Sequence, residues 1–262
     1  MIANQPKRYR ATYPSNVRYR DQVPRDVKGS ATVAVLSYHK IGDPPEDGWE
    51  SWYYVPTVVF RKQLQVLVED GWHPIDHGSF VAALDDPAGL PDRSVLVTFD
   101  DGYQSLVAEA APILEELVIP SVVFVPTAYI GGRNDFDAGD EPAETICGWD
   151  DLAWLAAHGM ATQSHGVHHH AMSELDPAAR RHEVEESQRV LTEGLGAPVR
   201  CFAFPYGDEG DDPPMMAAAL RAAGYRAAFL YGGGATDLSR ADRYRLPRIA
   251  MGPDTDLRAL LG

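Results

Sequence analysis

Cysteine is scarce in this sequence: Cys147 and Cys201 are the only two in 262 residues. Two cysteines could form one disulfide at most. Nothing in their spacing requires pairing. Two free thiols are expected, with Cys201 a small core residue. Long apolar runs are absent too. None approaches the ~20 residues of a bilayer span, and no apolar stretch of ~7–15 residues follows the basic N-terminus as a secretory signal requires. As it stands the chain is expected in the cytoplasm; it would be extracellular or cell-wall associated if a signal has been removed. Positive charge is in deficit, with 23 Lys and Arg against 38 Asp and Glu and a net charge of −15. That argues against nucleic acid and anionic membrane as partners, because phosphate binding needs a basic surface. Histidine stops at His182, and internal repeats and low-complexity runs are missing.

What is present describes a globular chain, 45% apolar and 23% charged, long enough to enclose one core. Residues 1–29 stand apart, with seven Lys or Arg against two Asp and no apolar period. They are expected to form a basic arm that wraps the surface or is partly disordered. Residues 30–262 form the domain. Strands are predicted at about 32–39, 95–99, 122–125, 200–204 and 226–230. Helices are predicted at about 57–68 with Thr57 as N-cap, at 79–84, at 104–117 with a kink or break at Pro112, and at 149–158, 177–194 and 213–223. The alternation implies an α/β fold with a mainly parallel sheet. The long loop from Tyr129 to Thr145 is a substrate lip or a surface insertion.

Three segments carry chemistry. Val95-Leu96-Val97-Thr98-Phe99 reads as a buried strand, and it ends on Asp100-Asp101-Gly102. Adjacent buried carboxylates repel unless a cation stands by. A divalent ion would satisfy one and leave the other to act as a base. In isolation the same residues could be an ordinary turn. Ser164-His165-Gly166-Val167-His168-His169-His170 holds four of nine histidines. On a helical turn His165 shares a face with either His168 or His169, so spacing leaves the second ligand open. One carboxylate and two imidazoles leave a position for water, the catalytic rather than structural arrangement. Arg200-Cys201-Phe202-Ala203-Phe204-Pro205-Tyr206-Gly207 is a third strand stopped by Pro and Gly.

Together the segments Thr98–Tyr103, Ser164–His169 and Phe202–Gly207 resemble the three motifs of the polysaccharide deacetylases, the NodB-homology group of carbohydrate esterase family 4. They stand in the family's order over about 110 residues. The resemblance implies a distorted or incomplete (β/α)7 barrel with the motifs at strand C-terminal ends. It implies Asp100 as general base, Asp101, His165 and His169 as metal ligands, and the Tyr206 N–H as an oxyanion donor. Pro205, Tyr206 and Tyr103 would shape the substrate groove. Zinc suits the N/O ligand set, with cobalt or nickel as alternatives.

The chain departs from the family pattern at three places. Gly166 stands where Ser or Thr is usual. Ala203 stands where many relatives carry an Arg that pairs with the base; Arg248 is the preferred replacement and Arg200 the second. Relatives often draw a general acid from a C-terminal Leu-His-Asp motif, which this chain lacks. The start Tyr38-His39-Lys40 resembles the permuted poly-N-acetylglucosamine deacetylase branch, and His39 is assigned as the acid; His73 and His77 lie among turn residues. The implied function is metal-dependent hydrolysis of the N-acetyl group of an N-acetylglucosamine polymer or oligomer, releasing acetate and a free amine. The alternatives are a same-fold hydrolase of a small biosynthetic amide and an inactive carbohydrate-binding module. Retention of both acids and both histidines argues against the last. Oligomeric state is not legible.

Overall fold

Buried β-branched runs set the architecture. A computed structural model of the chain describes residues 31–45 and 51–262; the expected arm at 1–29 lies outside the described residues. In chain order the elements are β1 (Thr32–Tyr38), β2 (Lys40–Ile41), β3 (Tyr54–Val55), α1 (Thr57–Glu69), β4 (His73–Pro74), α2 (His77–Ala83), β5 (Ser94–Phe99), α3 (Ala111–Leu117), β6 (Ser121–Val125) and α4 (Trp149–Ala157). Then come β7 (Met160–Ser164), α5 (Pro177–Leu195), β8 (Cys201–Ala203), α6 (Pro213–Ala222), β9 (Ala227–Phe229), β10 (Thr236–Asp237), β11 (Ile249–Ala250) and α7 (Leu257–Leu261). Among the described residues no helix is long and apolar enough to cross a membrane.

Strands β1, β5, β6, β7, β8 and β9 are parallel neighbours in that order. Residues 246–250 supply the seventh position. Leu246 bridges Phe229 of β9 in parallel, and β11 runs parallel to β1 with Leu36 opposite Ile249. The curled seven-stranded sheet is the expected distorted (β/α)7 barrel. Its strands are buried on both faces, which is why they read as unbroken apolar runs. Along β1, Val33 and Val35 join Leu96, Val122, Phe124, Ala203, Phe229 and Leu246 inside the barrel. Ala34, Leu36 and Tyr38 pack outward with Phe60, Leu64 and Leu67 of α1 and Leu114 of α3. Toward the C-terminal strand ends the buried residues become polar: Ser37, Thr98 and Arg248 are each 0% exposed. That change from Val and Leu to Ser, Thr and Arg marks the catalytic end of a barrel.

Four local features differ from expectation. Thr57 is not the N-cap of α1: Pro56 occupies that position without a side-chain cap bond, and the Thr57 hydroxyl donates instead to Glu109 Oε2 at 3.2 Å. Pro112 neither breaks nor ends its helix. A π-helical turn over Leu106–Ala110 runs directly into α3 with the proline in its first turn, where the missing N–H is tolerated. Strand β7, Met-Ala-Thr-Gln-Ser, was not expected from its polar sequence. It forms because β6 offers a parallel partner along its whole length, from Ser121↔Met160 to Val125↔Ser164, so pairing overrides propensity. The segment from His165 to His169 is not a helical turn but an irregular loop, with φ +79° at Gly166 and +59° at His169.

Candidate active site

The C-terminal ends of β1, β5, β7 and β8 converge on a cavity of about 310 Å³ lined by His39, Asp100, Asp101, His165, His169 and Tyr206 among others. After β5, β7 and β8 the chain takes up left-handed backbone. Asp101, His169 and Tyr206 all adopt positive φ (68°, 59° and 58°), a conformation unfavourable by about 1–2 kcal/mol for non-glycine residues. Such outliers concentrate where a site is over-determined by its surroundings. After β5 the turn needs Gly102, at φ +72°, because a Cβ there would stand 2.9 Å from Val125 Cγ2.

Asp100 continues the inward face of β5. Arg248 reaches it with both guanidinium nitrogens, Nη1 to Oδ1 at 2.6 Å and Nη2 to Oδ2 at 2.8 Å, and donates Nε–H to the Leu230 carbonyl at 2.8 Å. Ser37 Oγ donates to Asp100 Oδ2 at 3.1 Å. Burial alone would push this carboxyl up, but the Arg248 charge and its hydrogen bonds hold it below its usual range. Asp100 is therefore an ionised, oriented acceptor. Arg200, the other candidate cation, instead reaches the Gly224 carbonyl at 3.4 Å.

Asp101 faces the two imidazoles. Its Oδ1 lies 3.1 Å from His169 Nε2 and 3.5 Å from His165 Nε2. All three residues are buried, and the three ligand atoms lie within 4.8 Å of one another. His165 Nδ1 is 2.7 Å from the Ala203 carbonyl. Only a donor fits there, so the proton is on Nδ1 and the Nε2 lone pair faces Asp101. Burial pushes His165 down to about 4, which keeps it neutral. His169 Nδ1 is 3.2 Å from the Tyr206 hydroxyl, which orients its Nε2 the same way. Asp101 is 3% exposed, so its Oδ1 meets the imidazoles out of contact with bulk water. Burial lowers His169, but the Asp101 carboxylate outweighs it and raises the group. A cluster of one carboxylate oxygen and two imidazole nitrogens with this second layer fits a divalent ion. His168, the ligand that spacing left open, turns away to Glu183 Oε1 at 2.7 Å and is 46% exposed.

His39 follows β1. Its Nε2 is 3.9 Å from Asp100 Oδ2, and its ring lies against Tyr53 at 4.6 Å between centroids. Burial lowers its pKa against the pull of Asp101 and Asp100. Pro205 is buried behind Tyr206, which is 58% exposed at the rim. Tyr103 lines the floor, with its hydroxyl 3.5 Å from Asp137 Oδ2. The loop from Tyr129 to Thr145 lines the cavity through Phe136, Asp137, Asp140 and Glu141. The buried Lys40 pins that loop by its 2.7 Å pair with Glu141. His73 and His77 are not among the cavity-lining residues. Sequence reasoning missed Glu183, the Tyr206 hydroxyl, Ser37 and Lys40. The polar positions 183 and 187, in line with Leu191 on α5, were the available signal.

Residues 88–228, more than half of the chain, match the family described as polysaccharide deacetylase. The poly-beta-1,6-N-acetyl-D-glucosamine N-deacetylase of Staphylococcus epidermidis is 28% identical over 209 residues, 77% of this chain and 69% of that protein. The Escherichia coli K12 protein of the same name is 25% identical over 256 residues; the match takes in 85% of this chain but 37% of that protein, so the chain spans about a third of its length. Among solved structures, IcaB from Ammonifex degensii superposes with TM-score 0.71 at 26% identity, over 86% of this chain and 93% of that one.

Proposed function

The chain belongs to the polysaccharide deacetylase family, and from that premise we propose that it removes the acetyl group from N-acetylglucosamine units of a polymer or oligomer by metal-assisted amide hydrolysis. The observation that carries this reading is the buried Asp101 oxygen facing the Nε2 atoms of both His165 and His169, the three ligand atoms within 4.8 Å of one another. Asp101, His165 and His169 would hold the ion. When bound, zinc, cobalt or nickel supplies Lewis-acid stabilisation of negative charge and makes a nearby water more acidic. Asp100, kept ionised by Arg248, takes the proton of the attacking water. The Tyr206 N–H donates to the oxyanion of the tetrahedral intermediate, a contact worth about 3–4 kcal/mol in comparable sites. His39 delivers a proton to the departing amine, and its lowered pKa makes it the stronger acid. Acetate and a free amino sugar leave. Pro205, Tyr206 and Tyr103 bound the groove for the acetamide.

The cavity, about 310 Å³, is at the small end of ligand sites. This keeps a small biosynthetic amide as the second reading. Rates of acetate release from N-acetylglucosamine and its oligomers of increasing length, set beside small acetamides, separate the two. A steep gain in kcat/KM with length supports the polymer. Turnover of a small acetamide with none on any oligomer would refute it.

A further inference from the structure

The inner face of a helix against a barrel is ordinarily apolar, yet α5 buries three polar side chains: Arg180, which pairs with Asp211, and Glu183 and Ser187. Glu183 and Ser187, one turn apart, are 2% and 0% exposed. Both meet the stretch that carries the two imidazoles. Glu183 Oε2 accepts the backbone N–H of Val167 at 2.7 Å and of His168 at 2.9 Å, and Oε1 takes His168 Nδ1 at 2.7 Å. Ser187 bonds the Ser164 hydroxyl at 2.8 Å, and Ser164 Oγ accepts the Gly166 N–H at 3.2 Å. The Glu183 carboxylate occupies space that a side chain on residue 166 would contest. A Cβ on Gly166 would stand 2.9 Å from Glu183 Oε2, and its φ of +79° disfavours any other residue. Gly166 is the position at which the second motif departs from its usual Ser or Thr. The departure and the buried carboxylate therefore form one arrangement.

We propose that Glu183 is the positioning residue of the ion site: it fixes the loop between His165 and His169 and thereby sets the affinity for the divalent ion. The proposal rests on the metal-site reading given above. His169 sits in a strained left-handed conformation, 3.1 Å from Asp101, and needs an external anchor to stay there. Val167, 7% exposed, has its N–H satisfied by Glu183. Removing the carboxylate leaves both amides without that acceptor and frees the loop to relax, carrying Nε2 of His169 away from Asp101. Glu183 touches no reacting atom, so its effect is on ligand geometry. Loss of an outer group bonded directly to a metal ligand typically lowers affinity 10–100-fold; Glu183 bonds the loop between the ligands, one step further out, so the low end of that range applies.

The test is a zinc titration of the chelated, full-length protein against a competing chromophoric chelator, with thermal melts of the metal-free forms. Glu183→Ala should bind zinc about tenfold more weakly than the parent. Glu183→Gln, whose amide oxygen still accepts the backbone bonds, should lie between, at least threefold weaker. Leu191→Ala, a core change two turns along the same helix, should lower the melting temperature and leave zinc affinity unchanged. A folded Glu183→Ala protein with affinity within twofold of the parent overturns the proposal. Should that variant not fold, a Glu183→Gln protein at parental affinity overturns it. A parent that binds no zinc removes the metal-site reading as well, whereas tight binding by parent and Glu183→Ala alike removes only the role of Glu183.

Discussion

Replacing Arg248 with alanine is the most revealing single change. The guanidinium and the Asp100 carboxylate are both buried, and two bonds of 2.6 and 2.8 Å join them. A unit charge pair about 4 Å apart interacts by about 4 kcal/mol at an effective dielectric of 20. Removing one partner of a buried pair costs about 3–5 kcal/mol, because the other charge is left without compensation. For a chain of this size that lowers the melting temperature by about 10 °C. Function should suffer separately from stability. Without Arg248 the burial that pushes Asp100 up is unopposed by its main counter-charge, so the base is protonated over more of the acid range and the acid limb of kcat/KM moves to higher pH. Loss of an oriented base is worth about 10²–10⁴ in rate. The assay is acetate release from N-acetylglucosamine oligomers at saturating zinc, from pH 5 to 9, well below the melting point. Arg248→Lys keeps the charge but not the two-pronged geometry and should fall between parent and alanine. An Arg248→Ala protein with kcat/KM within threefold of the parent and an unmoved acid limb would refute the reasoning.

Three further predictions follow from the same geometry. Asp100→Asn should lose about 10²–10⁴ in kcat and keep the parental zinc content by metal analysis; zinc loss would contradict the division of labour between Asp100 and Asp101. Cys147 and Cys201 are free and buried, with burial pushing Cys147 up to about 12 and Cys201 upward likewise; neither should react with a thiol reagent at pH 8 until the protein is denatured, and fast labelling of the native protein would contradict that. Burial, reinforced by Asp101, pushes Asp137 up to about 7. Because this folded-state pKa is raised, ionisation is penalised in the fold and stability is lost as pH rises from the ordinary carboxylate range through about 7. In chelated protein Asp137→Asn should therefore gain stability relative to the parent at pH 8 but not at pH 4; equal denaturation midpoint differences at the two pH values would count against it.

The parts of this fold that were legible in the sequence are those governed by local pattern. The unbroken apolar runs of β1, β5 and β6 announce strands buried on both faces, and the abrupt polar endings at His39 and Asp100 announce the end at which chemistry sits. Helix α5 was legible over 177–194; the structure has it over Pro177–Leu195, with Asp176 capping Ala178 and Ala179 and Gly196 ending it at φ +63°. What was not legible depends on partners distant in sequence. Strand β7 is polar and exists through its pairing with β6. Which of His168 and His169 faces Asp101 follows from the loop conformation, with His168 turned to Glu183 and His169 to Asp101, and not from spacing. Glu183 itself escaped notice because a glutamate in a helix ordinarily faces water. Arg248 could be named only as a candidate, since the pairing with Asp100 spans 148 positions in the chain. It depends on residues 246–250 closing the barrel against β1.

The central claim is that Asp101, His165 and His169 hold an ion on which deacetylation depends. Acetate release from N-acetylglucosamine oligomers should be measured on the purified protein, then after chelation, then with zinc, cobalt or nickel restored. The account predicts release that chelation abolishes and at least one metal restores, with no restoration in Asp101→Ala. Undiminished release from protein shown by metal analysis to be metal-free would contradict it.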